Sequence, residues 1–285
     1  MDANPMVARF ALPRVRLRPL SAVETLVGWL LRGVNLFVYV YLMASIVIVV
    51  LVSFTPSTYI SFPPQGWSLR WYDEMLLKTE FLDSLWLSLW LAALSASVAT
   101  VIGTLSSFAL VRFRFPGRDL ISTLALSPLL VAGIVTGIAL LRFMVLIGMG
   151  PSLGRLLVAH VVITTPYVVR AVTATLVGFD RSLEEAAMSL GADRWRTTRL
   201  VTLPLIKSGL MAGAIFAFIM SFDNVMVSIF LSTPEFTPLP IRIYQYVEFS
   251  AKPVVAAIST IQILVIVAVM LAMERLIGFS RYTMG

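Results

Sequence analysis

Polar side chains inside long apolar stretches are the residues of this sequence that could do chemistry. A carboxylate inside a membrane is costly and usually faces a cavity or a partner, which makes Asp223 the first candidate. Read as one helix, residues 204–231 place Phe216 and Phe230 on its face, and aromatic rings beside a carboxylate could attract an ammonium group. With Asn224, these residues are the candidate substrate pathway. The alternatives are that Asp223 pairs with a group on a neighbouring helix or caps a helix break.

Several chemistries have no support in the sequence. One histidine and no cysteine exclude a multi-histidine or thiolate metal site. His160 is better read as a buried hydrogen-bonding residue than as a ligand. The three lysines do not follow glycines, so the phosphate-binding G-x-x-x-x-G-K-[ST] loop is missing and we predict no cofactor in this chain. No catalytic constellation supports an intramembrane enzyme.

The loop at about 179–203 is highly charged and starts with a helix signal. Ser182 and Glu185 form a capping-box pattern, in which each side chain bonds the other residue's amide. Glu184 and Glu185 suit the positive end of the helix dipole. Gly191 stands where a left-handed C-terminal residue is expected, and Asp193 can begin a second short helix. The pattern predicts a capped helix that begins at Ser182.

One stripe of this helix is apolar. Its members recur at i, i+3, i+4 and i+7, and the two alanines allow close approach of another surface. Two interpretations remain open: the helix docks in a groove on a soluble partner, or it packs on its own protein. The stripe consists of Leu183, Ala186, Ala187 and Leu190.

Composition places these features in a membrane protein. Of 285 residues, 59% are hydrophobic and 13% charged, about half the usual share of a soluble domain. Several apolar runs approach or exceed the roughly 20 residues that cross a bilayer as a helix. Pro128 and Pro166 can kink the third and the fourth of them. We predict an all-α integral membrane protein with six transmembrane helices, at about 35–54, 83–111, 120–148, 153–178, 204–231 and 254–277.

Charge distribution predicts the orientation. With a cytoplasmic N-terminus, 16 of the 22 Lys and Arg residues fall on the cytoplasmic side. This predicts a cytoplasmic N-terminal segment over 1–34, one transmembrane domain over 35–278, and a cytoplasmic tail over 279–285. The net charge of +7 then reflects topology, and no nucleic-acid partner is needed.

The charged loop resembles a known family motif. Glu185-Ala186-Ala187, three residues, Gly191, nine residues and Val201-x-Leu203-Pro204 are similar to the EAA loop of ATP-binding-cassette (ABC) importer permeases. The resemblance implies a type I importer fold in the bacterial inner membrane, whose coupling helix between spans 4 and 5 contacts a cytoplasmic ATPase dimer. It also implies a second permease subunit, a solute-binding protein outside, and ATP and Mg bound by the ATPase. The implied coupling residues are Glu184, Glu185, Ala186, Ala187, Leu190, Gly191, Leu203 and Pro204.

Further segments resemble the spermidine/putrescine subgroup of these permeases. They are Phe113–Arg118, Leu126–Pro128, Ser221–Val225 and Leu239–Tyr244. The resemblance implies polyamine import, although an acidic residue is common in the subgroup where Asn224 stands. The alternative is an ion-coupled secondary transporter in which Asp223 or His160 titrates, and it leaves the EAA-like loop without a role.

Overall fold

The computed structural model describes residues 22–249 and 252–277, and every regular element within those ranges is a helix. The chain divides into two compact units, residues 1–48 and 49–285. The first unit contains most of helix α1 (Ala22–Val52), whose apolar stretch from Leu26 is long enough to cross a membrane. Most of the predicted cytoplasmic N-terminal segment, residues 1–21, and the predicted tail 279–285 lie outside the described residues.

Three helices of the second unit are also long and apolar enough to cross a membrane. They are α3 (Thr79–Arg112), α6 (Leu153–Val177) and α13 (Val254–Ile277), close to three of the predicted spans. The other helices are shorter: α2 (Arg70–Leu77), α4 (Arg118–Leu126), α5 (Gly133–Leu146), α7 (Ser182–Ser189), α8 (Arg194–Thr197), α9 (Leu203–Leu205), α10 (Lys207–Phe222), α11 (Ser228–Leu231) and α12 (Leu239–Phe249).

The remaining two predicted spans are bent helix pairs. Residues 118–129 and helix α5 meet at 111°, and residues 194–205 and helix α10 meet at 67°. Pro128 lies beside the first bend and Pro204 beside the second. A proline has no N–H to donate to the preceding turn, which favours a break in the helix. The described residues thus hold four candidate spans, or up to six if each bent pair crosses once.

Small residues let α3, α6 and α10 converge on one point. A methyl group added at Gly103 of α3 would lie 2.7 Å from Cβ of Val168, and one added at Gly213 of α10 would lie 3.0 Å from its Cα. Val168 itself is fully buried on α6. Close backbone approach through small residues is a general way for helices to associate in membranes. These three helices form the core that positions the residues described next.

A separate buried cluster holds together helices α2 and α12 and the first turns of α3 and α13. It includes Trp71, Phe81, Leu239 and Val254. The Trp71 indole donates to the Thr55 carbonyl at 2.7 Å, which satisfies its polar atom while the ring stays buried. The cluster joins α2, the start of α3, α12 and the start of α13.

Candidate functional site

Helix α7 in the charged loop does not use the predicted cap. The Ser182 backbone amide donates to Asp180 Oδ1 at 2.9 Å, and Arg181, not Ser182, is the residue before the helix. Ser182 as helix cap is therefore wrong. The reason is that Arg181 already has helical backbone angles, whereas a capping serine needs extended ones. Bonds from Ser182 hold the pKa of Asp180 below its usual value.

Glu184 ties this loop to two other elements. Its Oε1 accepts from Arg112 Nη2 at 2.6 Å and from the Thr202 hydroxyl at 2.5 Å. Arg112 ends α3, and its guanidinium also lies over the Phe179 ring. The sequence places Glu184 correctly in the first turn of α7, but it gives no signal for partners 72 residues before it and 18 after it. Glu184 therefore connects α7 with α3 and with the chain entering α10.

The exposed side of the charged loop carries large apolar side chains. Leu190 is 90% exposed, Trp195 73% and Leu183 47%. Glu185 and Ala186 are exposed beside them, and Ala187 is half-buried. Of the two interpretations of the apolar stripe, packing on this chain does not account for Leu183 and Leu190. Several large exposed apolar side chains among charged ones are typical of a docking surface.

The turn after α7 agrees with the prediction. Gly191 has a φ of +89°, and the Ala192 amide donates to the Ala187 carbonyl at 3.1 Å. A left-handed glycine with this bond is a common helix ending. Asp193 then accepts from the Arg196 amide at 2.6 Å and begins α8, also as predicted.

Leu203 and Pro204 lie where the loop turns into α10. Between α8 and α9, residues 198–202 form a wide π-helical turn, and Ile206 is buried at the bend. Because Pro204 cannot donate, the regular bonding pattern is interrupted before it. The predicted motif thus surrounds a bend rather than a straight entry into the membrane.

The helix that carries Asp223 is interrupted. Helix α10 ends at Phe222, and α11 begins at Ser228. The continuous helix expected over 204–231 is wrong here, so helical spacing no longer relates Asp223 to Phe230. Phe230 instead packs against Gly137 of α5, while Phe216 lies on the exposed side of α10.

The side chains of Asp223 and Asn224 both accept hydrogen bonds at the break. Asp223 Oδ1 accepts from Gln262 Nε2 of α13 at 2.7 Å. Asn224 Oδ1 accepts from the amides of Val227 and Ser228 at 3.0 and 3.3 Å, and it thus caps α11 from three residues before Val227, the residue at the N-cap position. Of the alternatives for Asp223, the structure shows an amide partner on a neighbouring helix. Asp223 also lies at a helix break, but the side chain that caps the following helix is that of Asn224. Its carboxylate nevertheless remains exposed on this chain.

A cavity of about 250 Å³ adjoins the break. Asn224, Tyr167 and Thr136 supply its polar groups, and Met220 and Met226 line it with thioethers. The cavity lies between the bend beside Pro128, helix α6 and the break, so both irregular segments border one space.

His160 is a buried hydrogen-bonding residue, as predicted. Its Nδ1 lies 2.7 Å from the Ser221 hydroxyl and its Nε2 3.0 Å from the Ser228 hydroxyl. Spacing in the sequence could not reveal these partners, because they lie 61 and 68 residues away.

Comparison with known proteins decides between the transport classes. The family described as "Binding-protein-dependent transport system inner membrane component" matches residues 99–279, which include the charged loop and the break. The chain belongs to this family. Membership supports ATP-driven transport and not the ion-coupled alternative. It also identifies the chain as an inner-membrane permease, which agrees with its several long apolar helices.

Relatives extend the match toward the N-terminus. The spermidine/putrescine transport system permease protein PotC of Escherichia coli K12 is 35% identical over 254 residues, covering 89% of this chain and 96% of that protein. The putrescine transport system permease protein PotI of the same strain is 34% identical over 230 residues, covering 78% and 82%.

Solved structures agree on the fold. A chain of a bacterial ABC transporter involved in alginate import covers 90% of this permease and 99% of its own length, with a TM-score of 0.71 at 15% identity. A chain of the MetNI methionine ABC transporter covers 72% and 97%, with a TM-score of 0.60 at 20% identity. The permease therefore has the fold of ABC importer membrane chains.

Proposed function

We propose that this permease is the membrane subunit of a polyamine importer that takes up spermidine, putrescine or a related small organic solute. The support comes from the names of its relatives and from the exposed Asp223 carboxylate at the break. A membrane-embedded carboxylate is suited to an ammonium group, because each supplies the charge that the other needs. Asn224, Phe216 and Phe230 complete the proposed pathway, with Phe230 acting from its place against α5.

The observation that carries the coupling part of the proposal is the exposed apolar surface of the loop. The loop exposes Leu183, Leu190 and Trp195, and Glu184 attaches it to α3 through Arg112. Such a surface can enter a groove on the ATPase and be moved as a rigid body. The proposed coupling helix is α7, with Glu185, Ala186 and Ala187 near the contact and Gly191, Leu203 and Pro204 shaping the turns that follow.

The remaining partners follow from the same assignment. A cytoplasmic ATPase dimer would bind ATP and Mg, a solute-binding protein would deliver the substrate, and a second, homologous permease chain would complete the pore. Family membership and the two different polyamine permeases among the relatives support this composition. This chain would contribute no catalytic site.

We also propose the predicted topology. Six spans would result if each bent pair crosses once: the pair over 118–146 would form the third span, and the pair over 194–222 would include the start of the fifth, which is predicted at 204–231. Both termini would then be cytoplasmic, and residues 35–278 would form one transmembrane domain. The excess of basic residues on the assigned inner side supports this orientation.

The test is ATP hydrolysis by the reconstituted complex with its binding protein, across a solute panel led by putrescine and spermidine. We expect a polyamine to stimulate hydrolysis. Stimulation by a different solute alone would overturn the polyamine assignment and keep the permease.

Asp223→Asn tests the pathway in the same complex. Loss of one charge–charge contact is expected to lower polyamine uptake roughly tenfold, since hydrogen bonds to charged groups contribute about 1.5–3 kcal/mol. The matched control is Asp83→Asn, which removes an exposed carboxylate from α3. Equal uptake by the two variants, with both complexes assembled, would remove Asp223 from the pathway.

A further inference from the structure

One imidazole contacts both sides of the broken helix. His160 lies on α6 and is fully buried. Ser221, bonded to Nδ1, belongs to the last turn of α10, and Ser228, bonded to Nε2, is the first residue of α11. The two serines are themselves buried, so water does not replace these bonds.

The hydrogen bonds form a continuous chain. The Ser95 hydroxyl of α3 lies 2.8 Å from the Ser221 hydroxyl and 3.2 Å from the Ala92 carbonyl of its own helix. The tautomer of His160 sets which way each proton in the chain points. In either tautomer, one ring nitrogen of the neutral imidazole accepts and the other donates, so both are satisfied. The chain joins α3, α6, α10 and α11.

Backbone bonds alone do not fix the break. The Asp223 and Asn224 amides still reach the Ile219 and Ser221 carbonyls, and the Ile229 amide reaches the Val225 carbonyl, but the regular i to i−4 pattern is lost between residues 224 and 229. The Asn224 side chain caps α11, and its backbone reaches α10 only through the long 3.4 Å bond to Ser221. The relative placement of the two helix ends therefore depends on contacts from outside the segment, and His160 contacts each of them.

We propose that His160 is a positioning residue that holds the two ends of the broken span at a fixed separation and so sets where Asp223 and Asn224 stand. Its effect on transport rests on the proposed function, whereas its effect on the break does not. A residue that only filled space could be replaced by one of similar volume. A residue that ties the ends together cannot, because both of its polar contacts are needed.

Amide hydrogen exchange on the assembled complex measures the break directly. The variants are His160→Phe, which fills the site without polar atoms, and Ser228→Ala, which removes one contact. In both, we expect exchange over residues 223–228 to become roughly tenfold faster, the factor that corresponds to losing a buried hydrogen bond. Exchange over residues 168–177 of α6 should not change.

Two further variants sharpen the assignment. Ser95→Ala should speed exchange at the break, whereas Ser97→Ala should not, because the Ser97 hydroxyl bonds only the Ala93 carbonyl of its own helix. His160→Phe combined with Ser228→Ala should add little to His160→Phe alone, since residues in one network are not additive.

The proposal is overturned if exchange at the break stays unchanged in both His160→Phe and Ser228→Ala, or if it rises equally over 168–177. If His160→Phe fails to assemble, Ser228→Ala and Ser95→Ala decide by the same criterion. Putrescine uptake by the same complexes should fall together with protection of the break. If the wild-type complex takes up no polyamine, the proposed function is contradicted. The role of His160 is then tested by hydrogen exchange at the break alone.

Discussion

The charged loop and the broken span are both held by side chains from α3, but by opposite chemistry. At the loop, Arg112 pairs with Glu184 where each side chain is still 16–18% exposed. At the break, Ser95 bonds Ser221 and Ser221 bonds His160, and all three are neutral, buried groups. An ion pair near water keeps part of its hydration, whereas burying a charge has a large desolvation free energy even when the charge is paired. The two regions lie about 25 Å apart along one helix.

This difference bears on how each region responds to change. An ion pair can be inverted, because exchanging the two charges restores the attraction. A chain built around one imidazole has no equivalent exchange, because the ring must offer its two nitrogens to two hydroxyl groups at once. The loop should therefore accept a swap of residues that the break would not accept.

The largest expected effect is at the loop. Glu184→Arg leaves Arg112 beside another cation and is expected to lower uptake roughly 30-fold, because hydrogen bonds to charged groups contribute about 1.5–3 kcal/mol and the Thr202 bond is lost as well. The matched control is Glu74→Gln, which breaks the more exposed Lys78–Glu74 pair of α2 and should have little effect.

Inversion is the sharper form of this test. Glu184→Arg with Arg112→Glu should recover part of the uptake, and the ratio of uptake to ATP hydrolysed is the quantity to measure. If the double variant is no better than Glu184→Arg, the ion pair does not explain how the loop is held.

The second effect concerns the turn after α7. Proline fixes φ near −65°, which is incompatible with the +89° at Gly191. Gly191→Pro is expected to lower uptake about tenfold while the chain still inserts in the membrane. Gly191→Asn is the control, because asparagine tolerates the left-handed region and the space around this residue is open. Normal uptake by Gly191→Pro would show that the loop's shape is not needed for coupling.

The contrast also explains what the sequence could predict. Local patterns determine the left-handed Gly191, the Asp193 cap and the long helices, because the interacting groups are neighbours in the chain. The pair between Glu184 and Arg112 and the hydrogen bonds of His160 join residues 60 or more positions apart, which no local pattern encodes. The predicted span 204–231 runs through the break at 223–227 because Val225, Met226 and Val227 continue its apolar pattern, and Asp223 and Asn224 are the local signals of a break.

A smaller effect is expected inside the break itself. Asn224→Ala removes the acceptor of two amides and should cost about 1 kcal/mol, so uptake should fall roughly fivefold. Asn224→Asp keeps an oxygen acceptor in the same place and should preserve the cap. Hydrogen exchange at Val227 and Ser228 distinguishes the two variants, and equal protection in both would mean that the cap does not hold α11.

The smallest expected effect depends on pH at the entry to α7. The hydrogen bond from the Ser182 backbone amide holds the pKa of Asp180 below its ordinary value of 3.8, so the charged carboxylate favours the folded loop. A group whose pKa is lower in the folded state stabilises it above the unfolded pKa, and that contribution is lost as pH falls through the folded value. Protection of the Ser182 amide should therefore be constant near neutral pH and decline below about pH 4. Asp180→Asn should lose this pH dependence while keeping an oxygen acceptor for the Ser182 amide, whereas Asp180→Ala should lose protection at every pH. An unchanged decline in Asp180→Asn would assign the titration to another group, and the geometry at the start of α7 would then depend on Glu184 rather than on the hydrogen bond between Ser182 and Asp180.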